Sequence, residues 1–277
     1  MRTVSPSTLP LTLVVLLAEL TVGGLWVLLF AQVRGDATPG FIKFSAVMMF
    51  VVAVIAFVVA VAVSVGKDVD GYPLHESAMG PARVVLASTF GAATLYAYAT
   101  IRDHRLPALV LGAATSVLGL ITLAFLARVV SGPTWGLPLV LASLVIGSLV
   151  VGFAGLGMTL GHWYLVTPRL PEKPLRELTG LLVIVMVVQA LFLIPALLLP
   201  HDTVHTSVHH AITSNMFFYL RVGFGLAFPA LLAWMAYDSS GVRAMQSATG
   251  LLYIAMVLVI CGEVVAKGLM FTSGVPN

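Results

Sequence analysis

Two groups of titratable side chains stand out in an otherwise apolar chain, and both could do chemistry. Residues 201–215 read HDTVHTSVHHAITSN, so four of the seven histidines fall within ten positions. Ionisable residues also interrupt long apolar runs, at Glu19, Arg221, Glu263 and Lys267. Imidazoles ligate metals or haem and relay protons, and ionisable groups inside a membrane mark functional sites. The chemistry open to them depends on where they lie relative to a membrane.

The composition indicates a polytopic membrane protein. Of the 277 residues, 60% are hydrophobic and 9% are charged, whereas soluble domains carry about 25% charged residues. The formal charge of +3 comes from scattered Lys and Arg without a basic run, which does not favour nucleic-acid binding. Cys261 is the single cysteine, so any iron–sulfur centre must belong to another subunit.

Eight apolar segments are long enough to cross a bilayer as helices, which takes about 20 residues. These runs are continuous, whereas the strands of a membrane barrel alternate over about ten residues. We therefore predict an all-α membrane protein, an eight-transmembrane-helix bundle. It would form a single integral membrane domain over residues 1–277, with spans at 9–30, 41–64, 84–101, 106–126, 136–163, 178–199, 216–237 and 244–271.

The two membrane faces differ in basic residues. Eight spans place both termini on one face together with residues 201–215, and we call this the histidine face. The opposite face, called the basic face, carries more Lys and Arg: Arg34, Lys43, Arg102, Arg105, Arg169, Lys173, Arg176 and Arg243. The positive-inside rule makes the basic face cytoplasmic. We therefore expect both termini on the extracytoplasmic side of a bacterial or archaeal cytoplasmic (inner) membrane.

Helix direction places the four intramembrane charges nearer to the histidine face. Glu263 and Lys267 are four residues apart, so they share a helix face and can pair. They could form a structural ion pair between helices, or line a polar pocket. A quinone pocket needs donors for the carbonyl oxygens, a carboxylate or imidazole that takes the protons, and apolar walls.

Several stretches together resemble a known family. PLTLVVLLAELTVGGLWVLLFAQVRGD (10–36) has paired glycines and a closing Gly-Asp. VHTSVHHAITSN is followed by FYLRVGFG (218–225), with an Arg in the seventh span, and CGEVVAKGLMF (261–271) has a Gly-Glu with a basic residue four positions later. In these features the chain resembles the DmsC family, the eight-helix membrane anchors of DMSO-reductase-type molybdoenzymes, and more distantly the NrfD- and PsrC-type anchors.

The resemblance implies a role. Such anchors have both termini outside and hold an extracytoplasmic iron–sulfur (ferredoxin-like) subunit and a catalytic molybdopterin-type subunit to the membrane. They exchange electrons with menaquinone or another quinone near the outer face, and they carry no haem of their own. The family's quinol residues are a His at the outer end of the second helix and an acid at the start of the third. Here that region reads AVSVGKDVDGYPLHESAMGPARVVLA (62–87), in which His75 and Glu76 are the nearest candidates.

Two sets of candidate residues follow, and neither is a metal site. For quinone binding and proton transfer the candidates are Glu19, His75, Glu76, Arg221, Glu263 and Lys267. The histidines expected to face a partner or to relay protons are His201, His205, His209 and His210. Two of these histidines that are spaced four positions apart could share a metal, but no suitably placed carboxylate completes a recognisable site.

Other functions stay open at this stage. His162 lies a full membrane away from the histidine segment, so the two cannot ligate one haem together. A b-haem-bearing anchor is one alternative, in which His75 and one of the outer histidines would ligate the haem. A purely structural anchor without a working quinone site is a second alternative. A small-solute transporter is a third, but it would need broken helices and an inverted repeat, and neither is evident in the sequence.

Overall fold

Helices account for nearly all of the part of the chain that this computed structural model describes, residues 8–69, 71–132, 136–167, 169–198 and 216–273. The helices are α1 (Leu9–Arg34), α2 (Pro39–Ala62), α3 (Glu76–Ile101), α4 (Arg105–Val130), α5 (Leu137–Val166), α6 (Lys173–Leu198), α7 (Met216–Val222), α8 (Phe228–Gly241) and α9 (Met245–Ser273). A π-helical turn (Gly223–Ala227) joins α7 and α8 into one span. Within these described residues, eight helical spans are long and apolar enough to cross a membrane, which confirms the expected multi-pass all-helical class.

Several helices begin earlier than the apolar runs that predicted them. α3 begins at Glu76, eight residues before the predicted start at position 84, and α6 begins at Lys173 instead of 178. The added turns are polar, and Pro81 lies inside α3. Hydropathy locates the lipid-facing part of a helix, whereas hydrogen bonding continues past it into the headgroup region.

The spans form two four-helix bundles with the same packing order. In the first, α1, α2, α3 and α4 each pack on the next, and α4 returns to α1; α5, α6, α8 and α9 repeat this ring. α1 and α5 join the bundles, and their most apolar stretches are 67% buried, against 33–44% for the other spans. The central pair therefore has little contact with lipid, and the outer spans shield it.

The two bundles also share a turn. Asp103, between α3 and α4, and Arg243, between α8 and α9, both have a φ of 60°. In each turn the left-handed residue donates its N–H to the carbonyl three residues back, and the next residue donates to the carbonyl five residues back. This pattern closes the end of a helix by satisfying its last carbonyls. The two turns follow the third and the seventh span, which cross the membrane in the same direction. The two bundles therefore have the same orientation in the membrane.

Glycines allow α1 and α5 to touch along their backbones. A Cβ at Gly23 would lie 1.7 Å from the carbonyl oxygen of Ser148, and one at Gly152 would lie 2.4 Å from the carbonyl carbon of Gly23. Small residues permit such close crossings in membranes, where packing contacts replace the hydrophobic effect. The glycines at this crossing therefore let the two backbones touch.

On the histidine face, a short hairpin covers the end of α4. Strands β1 (Asp68–Val69) and β2 (Tyr72–Pro73) pair antiparallel. The buried Tyr72 hydroxyl donates to the carbonyl of Val130 at 2.7 Å, and burial raises the pKa of Tyr72 to about 12. The phenol therefore stays protonated at ordinary pH and keeps donating this hydrogen bond.

On the basic face, ion pairs connect the two bundles. Arg34 at the end of α1 pairs with Glu177 of α6 at 2.5 Å, and Lys173 pairs with Asp36 at 2.8 Å. The hydrogen bond from the Lys173 ammonium lowers the pKa of Asp36. These pairs are partly exposed, so each contributes at most about 1 kcal/mol.

The α1–α5 crossing makes a testable prediction. Gly23→Ala should lower the midpoint of thermal unfolding in detergent, because the added Cβ meets a backbone atom and the helices must separate, at a cost of about 1–3 kcal/mol. Gly91→Ala in α3 is the matched control, since no atom lies within 4 Å of its added Cβ. Equal midpoints of thermal unfolding for the two variants would contradict the close backbone contact of α1 and α5 at Gly23.

Candidate functional site

Four buried charges meet where the two bundles join. Glu19 of α1, Arg221 of α7, and Glu263 and Lys267 of α9 are each at most 1% exposed. Two carboxylates face two cations, so the cluster is formally neutral. We call these four side chains the charge cluster. In hydrocarbon each ion needs a partner, because water cannot solvate it there.

Lys267 lies between the two carboxylates. Its Nζ is 2.7 Å from Glu19 Oε1 and 3.1 Å from Glu263 Oε2. The pairing expected from the four-residue spacing of Glu263 and Lys267 is therefore present. The contact with Glu19 crosses from the second bundle to the first, so one ammonium connects α9 to α1.

The other oxygen of Glu263 receives two donors from the second bundle. Gln189 of α6 donates through Nε2 to Glu263 Oε1 at 2.7 Å, and Arg221 Nη2 donates to the same oxygen at 3.1 Å. Glu263 thus accepts from α6, α7 and its own helix. A carboxylate with three donors is firmly held as an acceptor.

A break in the seventh span positions Arg221. Pro229 has no N–H to donate to the carbonyl of Gly225 four residues earlier, and the helix widens into the π-helical turn at this point. Arg221 Nη1 donates to that carbonyl at 3.3 Å. The guanidinium therefore satisfies a backbone group that the proline leaves without its helical donor, while its other arm reaches Glu263.

Glycines make room for the cluster. A Cβ at Gly147 of α5 would lie 2.8 Å from Glu19 Oε1 and 3.1 Å from Glu263 Oε2. A Cβ at Gly225 would lie 2.8 Å from the Cα of Gly262, so α9 approaches the π-helical turn closely. Gly223, by contrast, has no atom within 4 Å of an added Cβ, so it has no part in this packing.

The cluster lies deep in the membrane. Glu19 is ten residues from the start of α1 and Glu263 ten from the end of α9, which places both about 15 Å from the helix ends at about 1.5 Å per residue. Arg221 starts nearer to the histidine face, five residues into α7. α1 and α9 are both longer than the hydrocarbon core, which is about 30 Å thick, so the carboxylates lie inside the core and on the histidine side of its centre.

Some polar atoms of the cluster have room for a further hydrogen bond. Among the described residues, Glu19 Oε2 has no hydrogen-bond partner, and Glu19 Oε1 has only the Lys267 ammonium, at 2.7 Å. Gln189 Oε1 and Arg221 Nε likewise have no hydrogen-bond partner in the described part of the chain. Buried polar atoms are nearly always satisfied, and exceptions are associated with function. The cluster can therefore accept a further donor at Glu19 and offer one at Arg221.

The structure does not bring the remaining sequence-predicted residues into the cluster. His75 and Glu76 are exposed at the start of α3, and no contact of theirs with the four charges is present. His201, His205, His209 and His210 lie outside the described residues. Within the described residues, no group of three His, Cys, Asp or Glu side chains could hold a metal ion.

Sequence reasoning missed Gln189 and Gly147. Gln189 is a polar residue within an apolar span, and this alone could have marked it. Gly147 gives no such sign, because a glycine in an apolar helix more often serves packing. Only the tertiary structure shows that it faces two carboxylates.

Neither protein-family models nor curated proteins identify a relative of this chain. The resemblance to the DmsC family therefore stays a prediction from the sequence.

Removing the central cation should destabilise the fold. Lys267→Met leaves Glu19 without its ion-pair partner in a buried site, which should cost about 3–5 kcal/mol in the free energy of unfolding. Lys173→Met removes an exposed pair with the same substitution and should cost at most about 1 kcal/mol. Unfolding of the purified variants in detergent measures both.

The double variant Lys267→Met with Glu19→Gln sharpens this comparison. It removes the unpaired carboxylate, while Glu263 keeps Gln189 and Arg221 as donors. Part of the lost stability should return. A double variant as unstable as the sum of its single variants would show that Glu19 and Lys267 do not interact.

Proposed function

We propose that the chain is the integral membrane anchor subunit of a respiratory electron-transfer complex. It exchanges electrons with a quinone such as menaquinone near the outer face of a bacterial or archaeal cytoplasmic membrane. It docks an extracytoplasmic iron–sulfur subunit, which connects it to a catalytic molybdopterin-type subunit. The chain is not catalytic alone in this proposal.

The charge cluster is the observation that supports the proposal most. Oxidation of a quinol releases two protons and two electrons, so a quinol site inside a membrane needs buried groups that can change their protonation. A carboxylate pair sharing one ammonium at 2.7 and 3.1 Å is such a group, because a proton that arrives on one carboxylate leaves the cation with the other.

The cluster suggests a role for each member. Arg221 and Lys267 hold the carboxylates, and Arg221 Nε offers a donor for a quinone oxygen. Glu19 and Glu263 accept the protons. Proton release toward the histidine face would pass the exposed His75 and Glu76 or the segment 201–210, which are candidates for the outer end of this path.

A purely structural anchor is the second candidate, and internal pairing of the charges favours it. Each charge of the cluster has an opposite charge within 3.1 Å. Such a network would fix how α1, α6, α7 and α9 pack without any proton transfer. The two functions differ in what happens to turnover when one carboxylate is neutralised.

Glu263→Gln in the purified complex separates these functions. If Glu263 takes protons, turnover with a quinol analogue should fall at least about a hundredfold per folded complex, and the affinity for the analogue should change. Asp103→Asn, a carboxylate on the basic face, should leave both unchanged. Reduced stability with unchanged turnover and inhibitor binding would exclude Glu263 from the mechanism and support the structural anchor.

Two observations test the proposed partner subunit and the proposed absence of a haem. An iron–sulfur subunit should co-purify with the chain from native membranes. An absorption spectrum of the same material should show no Soret band assignable to this subunit, and such a band would favour the b-haem-bearing anchor instead.

The orientation can be tested by labelling introduced cysteines. In a Cys261→Ser background, Lys67→Cys should react with a membrane-impermeant maleimide in intact cells, because Lys67 is exposed on the histidine face. Arg169→Cys, exposed on the basic face, should react only after the membrane is permeabilised. The reverse pattern would place the histidine face in the cytoplasm and contradict the proposed orientation.

A further inference from the structure

A cavity opens on the basic face, whereas the charge cluster lies nearer to the histidine face. It has a volume of about 240 Å³ and lies among the ends of α1, α2, α3 and α4 in the first bundle. Its polar lining comes from Gln32, Lys43, Thr100, Asp103, His104 and Arg105. The volume is below the range of about 300–1,000 Å³ of drug-sized ligand sites, so the cavity suits a small headgroup.

A buried hydroxyl in the cavity wall has no partner. Thr100 is 5% exposed, and its Oγ1 has no hydrogen-bond partner among the described residues. Most threonines in the spans donate to the carbonyl four residues earlier, as Thr94 does to Phe90 at 2.9 Å and Thr115 to Leu111 at 2.7 Å, whereas Thr100 and Thr12 do not. Thr100 therefore retains a free donor at a wall where a ligand could accept it.

The charge at the mouth of the cavity favours an anion. Lys43 pairs with Asp103 at 2.6 Å, which neutralises both. Arg105 also lines the cavity and forms no ion pair with any described residue, so one positive charge is left over. Lys43 keeps further N–H donors beyond the one directed at Asp103.

Helix ends add to this preference. α2 and α4 both begin beside the cavity, at Pro39 and Arg105. The N-cap of α4, His104, makes no side-chain capping hydrogen bond, so the first N–H groups of this helix have no such acceptor. Pro107 has no N–H, so the N–H groups of Arg105 and Leu106 and the helix dipole are what attract an anion at the start of α4.

The second bundle has its own loop at the corresponding turn. There Arg243 occupies the left-handed position that Asp103 occupies in the first bundle. Arg243 donates to the carbonyl of Leu170 at 3.1 Å and pairs with Glu172 at 3.3 Å, both in the loop between α5 and α6. In the first bundle the loop between α1 and α2 has only four residues, 35–38, and the cavity is left beside it.

We propose that this cavity binds the phosphate group of an anionic membrane phospholipid. Arg105 and the start of α4 would hold the phosphate oxygens, and Thr100 would donate to the deepest one. A membrane source is favoured over free phosphate because the cavity lies at the helix ends, at headgroup level. Leu106 and Val110, 73% and 60% exposed, continue from Arg105 along the lipid-facing side of α4, where an acyl chain can lie.

Native mass spectrometry of the full chain tests the site, and it does not depend on the electron-transfer proposal. The protein is exchanged into phosphatidylcholine bilayers with or without phosphatidylglycerol and then released. Wild type should retain phosphatidylglycerol. Retention should fall about tenfold or more in Arg105→Gln, which loses a charge-assisted hydrogen bond, and about three- to tenfold in Thr100→Val.

Matched controls separate the site from general attraction to anionic lipid. Arg169→Gln removes an exposed arginine from the same face, and Thr94→Val removes a hydroxyl that is already satisfied on the same helix. Both should retain lipid as wild type does. Equal losses in Arg105→Gln and Arg169→Gln would overturn the proposal. If Thr100→Val does not fold, the exposed Arg105 still decides the outcome, because its substitution leaves the core unchanged.

Inorganic phosphate distinguishes the two sources of the anion. At matched concentration it should displace little of the retained phosphatidylglycerol. Thermal stabilisation of wild type by phosphate alone, lost in Arg105→Gln and without retention of phosphatidylglycerol, would show a site for a soluble phosphate compound and overturn the lipid assignment.

Discussion

The contact of Lys267 with two carboxylates is the constraint on which the rest of the structure depends. Inside the hydrocarbon core of a bilayer no solvent can satisfy an ion, so each charge must find its partner within the protein. Lys267 meets Glu263 on its own helix and Glu19 across the bundle boundary. That single ammonium fixes the rotation of α9 and α1 together. Gln189 and Arg221 then fix α6 and α7 against the same carboxylate.

Close backbone approach is the second condition that lets these charges meet. Gly147 lies against both carboxylates, and Gly225 against Gly262 allows α9 to reach the π-helical turn. The same principle brings α1 and α5 together at Gly23 and Gly152. Lipid tails are as apolar as leucine, so helices gain little from hiding apolar surface and must pack tightly to associate. Charge pairing and small residues therefore act together.

The two faces of the protein differ in how they treat charge. Deep on the histidine side, opposite charges cancel within the fold, and only a few donor and acceptor positions remain open. On the basic face, most charges pair at the surface, but the first bundle leaves Arg105 unpaired beside a cavity. The second bundle uses the same turn to hold its own loop through Arg243. A shared bundle architecture thus distributes its charges differently at its two ends.

The sequence by itself determined the class of the protein and marked its four buried charges. Apolar run length predicted eight helical spans, and Glu19, Arg221, Glu263 and Lys267 stood out because ions are rare in such runs. It could not give the true start of α3 or α6, since hydropathy does not report hydrogen bonding beyond the lipid. Only the tertiary structure decided that the four charges form one cluster, that Gln189 and Gly147 belong to it, and that His75 and Glu76 lie apart from it. Helix rotation and crossing are set by contacts between distant residues, and spacing along one chain does not contain them.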